Sequence, residues 1–136
     1  MADNVIVATF ILQVAGKPVD NVNKALELVL KKLKDDKRWY IVESEIIEPE
    51  YDEESTLYSG MIEAKAEFDR AGHIMEFIMD YTPNSIEVED PKSINLNLSE
   101  FNGILNDMSN YLLASQMQIR KLNATIHMLN SKSKKE

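Results

Sequence analysis

Cysteine is absent from this chain of 136 residues, which excludes disulfides, thiolate metal sites and a cysteine nucleophile. Histidine is scarce as well, because His73 and His127 are the two histidines and they fall on different predicted helices. No glycine-rich phosphate loop, serine elbow or paired-histidine helix motif is present. The sequence therefore predicts no cofactor and no metal. An enzyme is disfavoured, since it would have to rely on His73 or on a carboxylate of residues 43–54.

Long apolar runs and clustered basic residues are also missing. No run approaches the roughly 18 apolar residues of a membrane span, and the N-terminal residues lack the basic segment and cleavage site of a secretion signal. We therefore expect a cytoplasmic protein without membrane contact. Residues 1–91 hold 9 basic and 20 acidic residues, whereas residues 92–136 hold 6 and 3. Because nucleic-acid binding needs clustered Lys and Arg, this acidic body predicts that nucleic acid is not a partner.

Apolar periodicity predicts the element order strand, helix, strand, strand, helix, strand over residues 1–91. The predicted strands cover 5–14, 39–48, 57–68 and 84–90, and the predicted helices cover 22–33 and 69–81. This order is that of the ferredoxin-like α+β fold, in which two helices lie on one face of a four-stranded antiparallel sheet. Both alternating sets of side chains in 5–14 are mostly apolar, which predicts a central strand covered on both faces.

Residues 92–136 are predicted to form one long helix, over about 99–130, with a short basic tail, as part of the same structural unit. With Leu105 at heptad position a, apolar residues occupy the a and d positions over four heptads, with Ser115 as the exception. The neutral residues at the e and g positions indicate a helix that packs on a sheet and also pairs with another helix. We therefore expect this helix to cover the free face of the sheet and to drive homo-oligomerisation.

A homo-oligomer is thus predicted, with a dimer favoured, and a monomer with a fully self-docked helix is the alternative. The function that this favours is a non-enzymatic interaction or scaffold protein. The predicted interface residues are Leu105, Met108, Leu112, Ile119, Leu122, Ile126 and Leu129.

Seven carboxylates lie within residues 43–54, with no basic residue among them. Their spacing does not match a calcium-binding loop. Two interpretations remain open for this acidic hairpin. It could bind a basic protein partner, or it could be a solvated hairpin whose charge prevents an edge strand from pairing with other sheets.

The stretch "HIMEFIMDYTPNSIEVEDPKSINLNLSEFNGILNDM", residues 73–108, resembles small archaeal proteins of unassigned function. These share a Y-x-P-x-S-I-E strand entry, an acidic–proline turn and a long C-terminal helix, and the resemblance implies no activity. The residues that carry it are Tyr81, Pro83, Ser85, Ile86, Glu87 and Pro91.

The order of strands and helices also resembles that of ACT domains, which sense amino acids at the first strand-to-helix turn. The resemblance implies an alternative function, a regulatory module that binds a small ligand at Gly16, Lys17 and Asp20. The sequence departs from ACT domains because it lacks their acidic residue before a Pro-Gly pair. A shared fold order supports many functions, so this is an analogy.

Overall fold

Four strands and three helices make up residues 5–135, the part of the chain that the computed structural model describes. In chain order they are β1 (Ile6–Gly16), α1 (Val19–Asp35), β2 (Trp39–Asp52), β3 (Leu57–Phe68), α2 (Ala71–Tyr81), β4 (Ser85–Asp90) and α3 (Leu98–Lys135). The predicted mixture of helices with a four-stranded antiparallel sheet and a long C-terminal helix is confirmed. The chain divides into two compact units, Met1–Asn95 and Leu96–Glu136.

The sheet has the strand order β2-β3-β1-β4, and every neighbouring pair is antiparallel. β1 lies inside the sheet and pairs with β3 along its whole length, from Ile6 opposite Phe68 to Gly16 opposite Tyr58. β4 pairs with the other edge of β1. β1 is thus one of the two interior strands of the sheet, and its sequence is apolar at successive positions.

The hydrophobic core lies between one face of the sheet and the two helices α1 and α2. Alternate residues of β1 (Ile6, Ala8, Phe10 and Leu12) are buried there, together with Val22, Leu26 and Leu33 of α1 and Phe77 of α2. The rings of Phe10 and Phe77 lie 4.4 Å apart between centroids. Trp39 closes the end of the core, and its indole Nε1–H donates a hydrogen bond to the carbonyl oxygen of Leu33 at 3.1 Å.

The helix α3 runs over 38 residues, so it is about 57 Å long. It contains the predicted range 99–130 and continues beyond it. Asn97 caps the N-terminus of the helix, because its side-chain oxygen accepts a hydrogen bond from the backbone N–H of Glu100 at 2.8 Å. Within residues 5–135, the structure holds no helix that is both long and apolar enough to cross a membrane.

Candidate interaction surfaces

The face of the sheet that points away from α1 and α2, here called the outer face, contains a depression of about 850 Å³. Its middle is formed by Thr9 and Ile11 of β1, which are half-buried. In the strand register, Thr9 lies opposite Lys65 of β3 on one side and Glu87 of β4 on the other. The outer-face side chains around the depression are Thr9, Ile11, Glu43, Glu45, Glu63, Lys65, Ser85 and Glu87.

The outer face carries a strong negative charge. Glu43, Glu45, Glu63 and Glu87 are exposed around the depression, which has one lysine, Lys65, in its lining. The Lys65 Nζ lies 3.3 Å from Glu89 Oε2, so this lysine already forms an ion pair with a glutamate outside the lining of the depression. Glu45 stands directly opposite Glu63 in the pairing of β2 with β3. Like charges at directly opposed positions destabilise a sheet, so this surface favours a cationic neighbour.

The acidic residues of 43–54 do not form one cluster. Glu43 and Glu45 belong to the outer face, whereas Asp52 lies at the turn between β2 and β3. Asp52 accepts hydrogen bonds from the backbone N–H of Glu54 at 3.2 Å and from the hydroxyl of Ser55 at 2.9 Å. These two hydrogen bonds hold the Asp52 carboxylate within the turn. A basic partner at this hairpin stays a prediction.

The seven residues predicted to form an oligomer interface lie along one side of α3. Each of the seven residues has between 42% and 60% of its surface exposed. Along the helix they are Leu105, Met108, Leu112, Ile119, Leu122, Ile126 and Leu129. An apolar stripe this long is uncommon on a surface that contacts only water. We refer to these seven residues as the seam.

The predicted ligand site is at the junction of β1 and α1. Gly16 ends β1, and the exposed residues Lys17 and Asp20 lie just before α1 and in its first turn. A Cβ atom built on Gly16 would lie 3.6 Å from Cγ2 of Val22, an ordinary contact distance. Packing therefore does not demand glycine at this position, and ligand binding at these three residues stays a prediction.

An ion cluster around Arg38 was not predicted from the sequence. Arg38 Nη2 lies 2.7 Å from Asp36 Oδ2 and 3.0 Å from Asp80 Oδ2, and Arg38 Nη1 lies 3.5 Å from Glu76 Oε2. The hydrogen bond from the Arg38 side chain lowers the pKa of the Asp36 carboxyl group. The same hydrogen bond raises the pKa of Arg38. The cluster joins the turn before β2 to α2.

Aromatic side chains line the inner side of this cluster. The guanidinium carbon of Arg38 lies 4.6 Å from the centroid of the Trp39 ring, a distance at which a cation is attracted to the ring face. Trp39 in turn meets Tyr81 edge to face, with centroids 5.8 Å apart. Burial is the main cause that raises the pKa of Tyr81. Together these contacts hold α2 against the start of β2.

The histidine that lies within the first unit is held by a neighbouring carboxylate. His73 Nδ1 lies 2.8 Å from Asp69 Oδ1, one helical turn away. His127 lies on α3. Among residues 5–135, no three His, Asp or Glu side chains are grouped so that they could hold a metal ion.

Comparison with known proteins identifies the family of this chain. No curated protein and no solved structure matches the chain. The model of the MJ0538 family matches residues 7–134, which cover most of both compact units. The match assigns no activity, and the Y-x-P-x-S-I-E strand entry stays a prediction. Because the matched range covers almost the whole chain, this protein belongs to the MJ0538 family.

Proposed function

We propose that this chain is a non-enzymatic interaction protein that self-associates through the seam of α3. The observation that carries the proposal is the seam itself, seven apolar residues at a and d spacing along one side of a 38-residue helix. Helices with this spacing bury such a stripe by packing it against a similar stripe. A second copy of the chain carries the same stripe and can therefore supply the partner helix. Closed dimers are the commonest arrangement of identical subunits.

A ferredoxin-like fold for residues 1–91 is part of the same proposal. It is supported by the element order, by the strand order β2-β3-β1-β4 and by the position of α1 and α2 on one face of the sheet. Such a sandwich leaves its second face without a helix of its own. A long additional helix is the element through which this unit would be joined to other copies.

The proposal is tested by placing charge in the seam. The variant with both Leu112→Asp and Ile119→Asp puts two carboxylates where apolar side chains would meet in a helix pair, and burying an unpaired charge is strongly unfavourable. We expect this variant to elute with a lower light-scattering mass than the unchanged chain. The matched control carries Asn106→Asp and Asn110→Asp, two exposed positions of α3 that lie outside the seam and before residue 113.

The control should keep the mass of the unchanged chain, because it adds the same residue type to the same helix without touching the seam. Equal masses for the unchanged chain and the seam variant would refute self-association through α3. A lower mass for both variants would mean that loss of helix stability, rather than loss of the seam, causes dissociation.

A further inference from the structure

We infer that the outer face of one copy is the docking surface for the C-terminal half of α3 from a second copy. The inference rests on the proposed self-association and names a second contact within the assembly, in addition to the seam.

A second apolar strip runs along α3. With about 100° between successive residues of a helix, Leu113, Met117, Ala124 and Met128 fall on the side opposite the seam. All four side chains are exposed. Pairing two helices through their seams would leave this strip in water. The strip therefore needs a cover other than the partner's seam.

Basic residues flank the strip. Arg120 lies along one of its edges, and Lys121 and Lys132 lie along the other. Residues 113–135 contain five Lys or Arg residues and no Asp or Glu. The C-terminal half of α3 is thus an amphipathic helix whose second apolar side is bordered by positive charge.

The outer face has the complementary pattern. Half-buried Thr9 and Ile11 form the middle of a depression of about 850 Å³, and glutamates stand around it. Glu45 and Glu63 face each other across β2 and β3 without a lysine between them. A helix with an apolar centre and basic edges would cover the middle and place Arg120 and Lys121 near these glutamates. Complementary charge of this kind favours the correct partner and its orientation.

Chain length favours the helix of a second copy. The middle of the strip, near Arg120, lies about 33 Å along the helix axis from Leu98. Residues 91–97 join β4 to α3 and span about 25 Å when fully extended. Asp90, where β4 ends, is about 10 Å along the strand from Glu87 at the depression. Docking within one chain would therefore need a linker that is almost fully stretched, whereas a second copy has no such limit.

The experiment uses charge reversal in trans. One full-length variant carries Glu45→Lys and Glu63→Lys on the outer face, and another carries Arg120→Glu and Lys121→Glu on α3. Each variant alone sets like charges against each other in the proposed contact, so we expect the dissociation constant of self-association to rise about tenfold. An equimolar mixture of the two variants restores opposite charges at both contacts. It should associate with about the affinity of the unchanged chain, as measured by sedimentation equilibrium.

The control variant carries Glu53→Lys and Glu54→Lys at the turn between β2 and β3, which makes the same change of charge away from the outer face. We expect it to associate like the unchanged chain. A third variant carries all four reversals in one chain. If this variant associates like the unchanged chain and the mixture does not, the contact lies within one chain and the inference is overturned.

The remaining outcomes separate this inference from the proposed function. If the reversals leave the association unchanged while the Leu112→Asp, Ile119→Asp variant dissociates, self-association through the seam stands and docking on the outer face is refuted. If the unchanged chain is itself a monomer, the proposed function fails and this inference fails with it.

Discussion

Gly60 of β3 lies directly beneath Leu26 of α1, so closely that a Cβ atom at position 60 would stand 2.7 Å from Cδ1 of Leu26. The same Cβ would lie 3.1 Å from both the carbonyl oxygen of Ile47 and Cγ of Pro49. Position 60 is therefore closed from the helix above and from the neighbouring strand. Glycine is required there by close packing.

Replacement of Gly60 by alanine should lower the free energy of unfolding by about 1–3 kcal/mol, because overpacking forces the helix and strand apart. Chemical denaturation measures the loss. Gly72→Ala is the matched control, since a Cβ built on Gly72 meets no atom within 4 Å. The packing of α1 on β3 would be contradicted if both alanine variants had the stability of the unchanged chain.

Asp36 should contribute to the pH dependence of stability. Its pKa is lowered in the folded chain, chiefly by the hydrogen bond from Arg38, so its contribution is complete above the ordinary carboxyl pKa of about 3.9 and is lost as the pH falls through the lowered value. We expect Asp36→Asn to cost about 1 kcal/mol at neutral pH. The difference from the unchanged chain should shrink once the pH falls below about 4.

Thermal unfolding at a series of pH values measures this difference. Asp35→Asn is the control, because it removes the same charge from the adjacent, exposed residue. A constant difference between the Asp36 variant and the unchanged chain down to the lowest pH would show that the Arg38–Asp36 pair does not stabilise the fold.

Gly103 should be replaceable without harm to assembly. It lies inside α3, at a position off the seam, and a Cβ built on it meets no atom within 4 Å. Alanine is favoured over glycine in a helix by about 1 kcal/mol, so Gly103→Ala should raise the helical stability, as followed by circular dichroism. The light-scattering mass should stay unchanged. A lower mass would mean that a neighbouring chain packs closely against this glycine.

Small metabolites should not stabilise an interaction protein of this kind. We expect no change in the melting temperature of the full chain with amino acids or nucleotides. A ligand that binds the folded state raises the melting temperature in proportion to the logarithm of its concentration. A shift that is present in the unchanged chain and lost in Gly16→Phe would instead favour the regulatory module at Gly16, Lys17 and Asp20.

Local patterns predicted the individual elements well. The range 57–68 predicted for β3 is the range observed, because its alternation of apolar and polar residues continues without a break. β2 was predicted to end at residue 48 and in fact extends to Asp52. Its last residues are strand because Tyr51 and Asp52 pair with Tyr58 and Leu57 of β3. That pairing depends on the register of the hairpin, which composition alone does not fix.

The surfaces were harder to predict than the elements. Irregularities of β2 near Val42 and between Ile47 and Glu50 shift its register against β3, so the side of the sheet on which each glutamate lies cannot be read from alternation. The outer face also joins Glu45 to Glu87, residues that are distant in sequence. The Arg38 cluster was missed for the same reason, since Glu76 and Asp80 reach it from α2.

The mass of the unchanged full-length chain in solution tests the central claim most directly. Sedimentation equilibrium over a wide range of concentrations should give a multiple of the chain mass of 15.6 kDa, with the dimer expected, and dissociation on dilution. A mass of 15.6 kDa at every concentration would contradict self-association through α3.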